Sequence, residues 1–401
     1  MEDTTMKYNF DEVIDRSGTG ATKVEKLPAG CDPESLPLWV ADMDFACAEP
    51  ILKALHERID RKIFGYTLYE TEECQSAILN WYKRRYGWEE KAENLFFCGG
   101  IVSAYAVLLN IMTEPGDGIV LQRPIYYPFT MKAESNDRVL VDSPLIYENG
   151  SYRMDLEDLD KKMADPKNKV FVFCSPHNPA GRVWTKDEIR SVVDICKKYD
   201  KWIICDEIHC DLIRRGVTFH PILTVAPDYA DRIAVCTAPS KTFNLAGMKT
   251  SNIVIHNPEL KKAWTDLLGN KLSMSGAGTL GLTAMVAAYN EGEEWLEQLK
   301  DYLDGNFAYI DEFLKKNMPK AHLVPSEGTY LAWIDFNGYV NGDAEKLEQI
   351  MQKKAKVALD EGYIFGVEGR GFERINIATQ RSVIEDCMNR ILNAFKEEKY
   401  V

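Results

Sequence analysis

The chain has 401 residues, 45% of them hydrophobic, and a formal net charge of −14 at pH 7. That length and apolar content suit two domains of roughly 100–200 residues each, or one large domain with a split smaller one, around a sizeable core. The acidic balance argues against a nucleic-acid or anionic-membrane partner, since either would need clustered positive charge.

The N-terminal segment is polar, with Glu2, Asp3, Lys7 and Asp11 and no apolar leader core, so no secretory segment is expected. From about Pro50 to Tyr289, strand-like and helix-like runs alternate. Gly99-Gly100 opens an apolar helical run, Ile101 to Met112, whose start is suited to an anion and whose length is too short to span a membrane. The Gly-Gly pair lacks the spacing of a dinucleotide fingerprint. Ile119 to Leu121 and Arg138 to Val141 read as strands, with Pro124-Ile125-Tyr126 between them. Val170 to Cys174 reads as a buried strand running into Ser175-Pro176-His177-Asn178-Pro179. Thr185 and Glu188 form a capping box, followed by Ile189, Val192, Val193 and Cys196 on one helical face.

Two further apolar runs end in polar residues. Trp202 to Cys205 leads into Asp206-Glu207-Ile208-His209, and Ile233 to Thr237 leads into Ala238-Pro239-Ser240-Lys241-Thr242-Phe243-Asn244. Asn252 to Ile255 is the last strand-like run of this part. Such alternation predicts an α/β fold with a mostly parallel sheet covered by helices on both faces. Gly276-Ala277-Gly278 reads as a tight helix entry. A long helix over 293–317 follows, with Trp295, Leu296, Leu299 and Leu303 as its apolar stripe. Tyr330 to Ile334, Arg374 to Ile377 and a helix near Val383 to Lys399 predict a smaller α+β domain. The expected division is 48–288 for the large domain and 1–47 with 289–401 for the small one. The ten cysteines form no C-x-x-C pair and read as reduced thiols of a cytoplasmic protein. Cys205 to Cys210 has no second ligand pair at zinc-type spacing, so no metal is expected.

Asn178, Asp206 and Lys241 each follow or end a predicted strand, with a helix-sized segment between neighbours. Parallel strands would bring all three to one sheet edge, where ligands of open α/β sheets collect. The residue types suit pyridoxal phosphate (PLP). A lysine beside hydroxyl residues joins the cofactor aldehyde as a Schiff base, and the hydroxyls hold its phosphate. A carboxylate facing the pyridine nitrogen keeps it protonated, and an amide donates to the ring oxygen. To carry a proton at the substrate Cα, the lysine must fall from its free pKa of about 10.4.

With these residues in this order, the chain resembles the fold-type I PLP enzymes of the class I/II aminotransferase superfamily over nearly its whole length. Within it, the chain most resembles the carbon–sulfur β-lyase branch, the aminotransferase-like cystathionine β-lyases. The branch markers are Trp39-Val40-Ala41-Asp42-Met43-Asp44-Phe45 and Asp206-Glu207-Ile208-His209; Ser240 to Gly247 and Glu327 to Trp333 agree with them. The resemblance implies Lys241 as the Schiff-base lysine, Asp206 at the pyridine nitrogen and Asn178 at the ring oxygen. It implies Tyr126, with Tyr127 as a rival, stacked on the ring. Gly100, Ile101 and Val102 would receive the phosphate, together with Ser240, Lys249 and a Tyr66 supplied by a second subunit. Arg374 would clamp the substrate carboxylate, a task for a planar guanidinium, and Asp42 would lie at the substrate. The implied assembly is a homodimer with shared active sites, and the N-terminal segment would pack with the small domain.

Three positions depart from the wider superfamily. Ala238 stands where many aminotransferases carry a phosphate-binding serine, Lys249 where they often have arginine, and His209 where a tyrosine usually approaches the ring oxygen. The implied activity is β-elimination from cystathionine or another cysteine S-conjugate, giving pyruvate, ammonia and a thiol. An aminotransferase shares every cofactor residue and is the alternative. A binding protein on an inactive scaffold fits poorly with the retention of Asn178, Asp206, Lys241 and Arg374.

Overall fold

The computed structural model describes residues 7–401, so Glu2 and Asp3 of the polar start lie outside the described residues. Helices α1 (Glu49–Asp60) and α2 (Glu72–Tyr86) precede strand β1 (Leu95–Cys98), helix α3 (Ile101–Met112), and strands β2 (Gly118–Leu121) and β3 (Val139–Asp142). Next come β4 (Asn168–Cys174), α4 (Lys186–Lys198), β5 (Trp202–Asp206), β6 (Ile233–Thr237) and β7 (Ser251–Ile255). The chain closes with α5 (Thr279–Glu291), α6 (Glu293–Asn317), β8 (His322–Leu323), β9 (Leu331–Asp335), β10 (Asp360–Glu361), β11 (Phe372–Asn376) and α7 (Arg381–Glu397).

Strands β1 to β7 form one seven-stranded sheet in the order β1-β7-β6-β5-β4-β2-β3. Only β7 runs against its neighbours β1 and β6; the other pairings are parallel. The near-continuous apolar strands follow from this, because both faces are covered. Along β4, Phe171 and Phe173 pack into one core while Val170 and Val172 pack into the other. Ile203 and Cys205 of β5 share the first core, whereas Ile204 joins the second. Helix α3 covers that second face through Ala104, Tyr105, Leu108 and Leu109. Helix α4 covers the first through Ile189, Val192, Val193 and Cys196, the stripe expected from its spacing, and opens on the expected Thr185–Glu188 capping box.

The four-stranded C-terminal sheet, in the order β8-β9-β11-β10, is antiparallel throughout. The N-terminal segment is bound to this part of the chain. Leu36 and Pro37 pair in parallel with Val357 and Ala358, and the Asn376 amide donates to the carbonyls of Val40 and Asp42, both at 2.6 Å. Gly278 caps α5, in keeping with the expected helix entry. Strand β1, the Leu36–Pro37 pairing and a hairpin of Ile146–Glu148 with Ser151–Arg153 are additions to the elements expected from sequence. Each is short; the partners of the first two are set by tertiary position, whereas the hairpin closes locally on Asn149-Gly150. Among the described residues, no helix is long and apolar enough to cross a membrane, and no cluster of His, Cys, Asp or Glu is arranged to hold a metal.

Candidate active site

Because β4, β5 and β6 are parallel neighbours, the segments leaving them emerge at one edge. There a cavity of about 300 Å³ is lined by Gly100, Ile101, Val102, Tyr126, Asn178, Asp206, His209, Ser240, Lys241 and Lys249. Gly100 caps α3 at φ 155°, a backbone conformation that L side chains rarely adopt, and a Cβ there would enter open space. Ala104 is the first amide of α3 with a helical partner, the Gly100 carbonyl at 2.9 Å. The amides of Ile101 and Val102 precede it, unpaired as at any helix start, so this end of the cavity favours an anion.

Lys241 sits on a one-turn helix, Pro239–Thr242, directly after β6. The turn is anchored by Thr242, whose hydroxyl donates to Asp211 Oδ2 at 2.7 Å. The other Asp211 oxygen accepts from Trp81 Nε1 at 3.1 Å and from the Tyr86 hydroxyl. Lys241 Nζ donates to the Ala41 carbonyl at 2.5 Å, and the Tyr330 hydroxyl donates to the same oxygen at 2.9 Å. Burial, then the positive charge of Arg374, brings the Lys241 amine down to about 8, against the opposing pull of Asp42 and Asp206. At pH 7 about one amine in ten is then free base, far more than for an exposed lysine.

Asp206 ends β5 and is buried, and its Oδ1 accepts from the Ile208 amide at 3.0 Å. Burial lifts its carboxyl to about 7, partly offset by that N–H and by Lys241. Asn178 turns its Oδ1 toward Arg374 Nη1 at 3.0 Å, which leaves its NH₂ as the free donor. The Asn178 carbonyl also accepts from the Tyr126 amide at 3.0 Å and so fixes the start of that loop. Tyr126 lines the cavity, its ring edge-on to Phe129 at 5.7 Å; Tyr127 instead packs on Phe365 at 5.9 Å. His209 is buried edge-on to Tyr330 at 5.8 Å, and its Nδ1 has no hydrogen-bond partner. Burial, with the charges of Lys241 and Arg374, depresses its pKa well below the usual histidine value and keeps the ring neutral.

A model of the aminotransferase class I and II family matches residues 34–391. The chain belongs to that family. Cystathionine beta-lyase PatB of Bacillus subtilis (strain 168) is 38% identical over 384 residues, covering 96% of this chain and 98% of the relative. The structure of the PLP-bound C-S lyase from Staphylococcus hominis is similar at a TM-score of 0.91 and 38% identity, covering 96% of this chain and 98% of that one. Cystalysin from Treponema denticola, whose structure contains a pyridoxal 5'-phosphate cofactor, gives a TM-score of 0.91 at 36% identity, with 98% of this chain and 100% of that chain covered.

Three of the expected residues of this class I and II family member lie off the cavity wall. Arg374 is buried just behind Asn178, to which it is bonded. Asp42 lines an adjoining cavity of about 610 Å³ that shares Lys241 and Lys249, and its carboxylate grips Arg16 through both oxygens at 3.0 and 2.7 Å. Tyr66 is fully exposed on a surface groove with Thr67 and Thr279, away from this chain's own cavity. Sequence reasoning missed the Ala41 carbonyl and Tyr330 hydroxyl beside Lys241, Asp211 beneath its turn, and the Trp39 carbonyl and Asp360 carboxylate that accept from Arg374 Nη2. A backbone carbonyl has no residue signature. Asp360, the first of two acids (Asp360-Glu361) that close the apolar run Val357-Ala358-Leu359, had a visible but ambiguous signal.

Proposed function

We propose that the chain is a PLP-dependent carbon–sulfur β-lyase that cleaves cystathionine or other cysteine S-conjugates to pyruvate, ammonia and a thiol. The observation that carries this reading is one cavity lined by a depressed lysine amine, a buried carboxyl with a single N–H partner, and a side-chain-free helix start. This donor set fits the cofactor: helix amides, Ser240 and Lys249 for a phosphate, Asp206 for a ring nitrogen, and the Asn178 NH₂ for a ring oxygen. The orphaned Nδ1 of buried His209 also points to a ligand in this space. When bound, the cofactor supplies an electron sink that acidifies the Cα–H of an attached amino acid.

The remaining work falls to the chain. Asp206 would hold a proton at the ring nitrogen, and that cationic partner would draw its carboxyl back toward the ionised form. Tyr126 would cover the ring, and Arg374 would orient the substrate carboxylate. The Lys241 amine takes the Cα proton, a role that suits a base with a pKa near 8. The Cβ–S bond then breaks with its electron pair on sulfur. An ordinary thiol has a pKa of about 8.5, so the thiolate leaves without a dedicated acid, and hydrolysis of the remaining fragment gives pyruvate and ammonia.

The lyase names of PatB and the Staphylococcus hominis enzyme support elimination over transamination, as does His209 in place of a tyrosine. With cystathionine and PLP as the only additions, pyruvate, ammonia and homocysteine should form over many turnovers. Pyruvate stalling near one equivalent per site, with 2-oxoglutarate restoring turnover to the matching keto acid, would establish the aminotransferase instead.

We also propose a homodimer in which Tyr66 reaches the partner's phosphate site. Tyr66 lies among exposed apolar residues, Ile59, Ile63, Phe64 and Leu68, a patch of the kind that marks an interaction surface. The proposed domain division remains 48–288 against 1–47 with 289–401. The ten free cysteines support a reducing, cytoplasmic setting.

A further inference from the structure

Arg374 is already in the grip of an internal carboxylate. Its Nη1 donates to Asn178 Oδ1 at 3.0 Å, while Nη2 donates to the Trp39 carbonyl at 3.2 Å and to Asp360 Oδ2. Asp360 faces Arg374 directly in the β10–β11 register, and both side chains are buried. The guanidinium also lies over the Phe365 ring, 4.8 Å from its centroid, which closes that face. Nε is buried with no partner.

A guanidinium offers two edges for gripping a carboxylate with paired N–H groups: Nε with Nη2, and Nη1 with Nη2. Both edges need Nη2, and both of its N–H groups are taken. An incoming carboxylate therefore gains a two-pronged hold only by removing Asp360 or the Trp39 carbonyl from Nη2. The carbonyl is neutral and fixed by backbone, its segment held by the Asn376 amide on Val40 and Asp42. Asp360 is a rotatable side chain whose negative charge would repel a second carboxylate on the same nitrogen.

We infer that Asp360 is a displaceable internal counter-carboxylate, exchanged for the substrate carboxylate on Arg374, and so sets the affinity of the site for amino acids. This rests on the reading of Arg374 as the carboxylate-binding residue. Orphaned Nε is the donor that such a ligand would engage once the exchange frees its edge.

The test is calorimetric binding of propionate, which carries the carboxylate but no amine, to the PLP-loaded enzyme and to Asp360→Asn, Asp360→Ser and Arg374→Lys variants. Removing the competing charge should tighten propionate about tenfold in both Asp360 variants, the scale of one charge-assisted hydrogen bond. Two substitutions of different size separate the loss of charge from a local packing defect. Unchanged or weaker binding in the Asp360 variants, alongside weaker binding in Arg374→Lys, would overturn the exchange and leave Asp360 as a strut for the arginine. Propionate binding indifferent to Arg374→Lys would overturn the assignment of Arg374 itself, and the exchange with it.

Discussion

Around Lys241, the anchoring contacts come from this chain's own interior. Its amine is on the Ala41 carbonyl, the turn beneath it is tied through Thr242 to Asp211, and Asn178 is locked to Arg374. Around Tyr66 the opposite holds: the phenol is fully exposed, with apolar Ile63, Phe64 and Leu68 beside it. Both regions are assigned to the same cofactor, yet one is built within a single chain and the other faces away from its own cavity. One copy of the chain suffices for the first region and not for the second. Ring and lysine chemistry need pre-organised, desolvated groups that only a packed interior provides, whereas a donor at the cavity mouth can come from a second surface.

The largest loss is expected at the buried lysine. Lys241→Ala should lower turnover by about 10³-fold or more, and borohydride should no longer fix cofactor to the chain. Peptide mapping of wild-type protein after borohydride checks the position, and cofactor on any other lysine would remove the assignment.

The exposed end should respond more mildly. Tyr66→Phe should weaken cofactor retention by about tenfold, through loss of one hydrogen bond to a charged group. In mixed dimers with Lys241→Ala subunits, one pocket would carry both substitutions and the other neither, so a fraction with wild-type retention should reappear. An active, strictly monomeric protein would defeat the shared-site reading.

A finer test concerns how strongly the interior acts on the lysine. In cofactor-free protein, amine acylation of Lys241 should reach half its maximal rate near pH 8, against about 10.4 for a free lysine. The sign follows from burial and Arg374, both of which disfavour the ammonium form, so the reactive amine accumulates above pH 8. Arg374→Gln removes a positive neighbour and should move the midpoint upward; a midpoint that stays in place would assign the whole effect to burial.

Much of the sheet was legible because its strands are nearly unbroken apolar runs separated by amphipathic helices. Val170 to Cys174 and Trp202 to Asp206 could bury both faces only in a covered parallel sheet. That inference alone brings Asn178, Asp206 and Lys241 to one edge, since parallel strands share their C-terminal ends. Strand β1 was not legible, because its four residues pair only with β7, far along the chain. The detailed state of the cations was equally hidden. Which residue types meet at the sheet edge, and in what order, follows from the sequence alone. That Lys241 rests on the carbonyl of Ala41, that Asp211 anchors its turn and that Asp360 occupies Arg374 emerges only from the folded chain. Those partners come from loops and strand ends distant in sequence, and two buried groups find each other through packing geometry, which no local pattern of residues encodes.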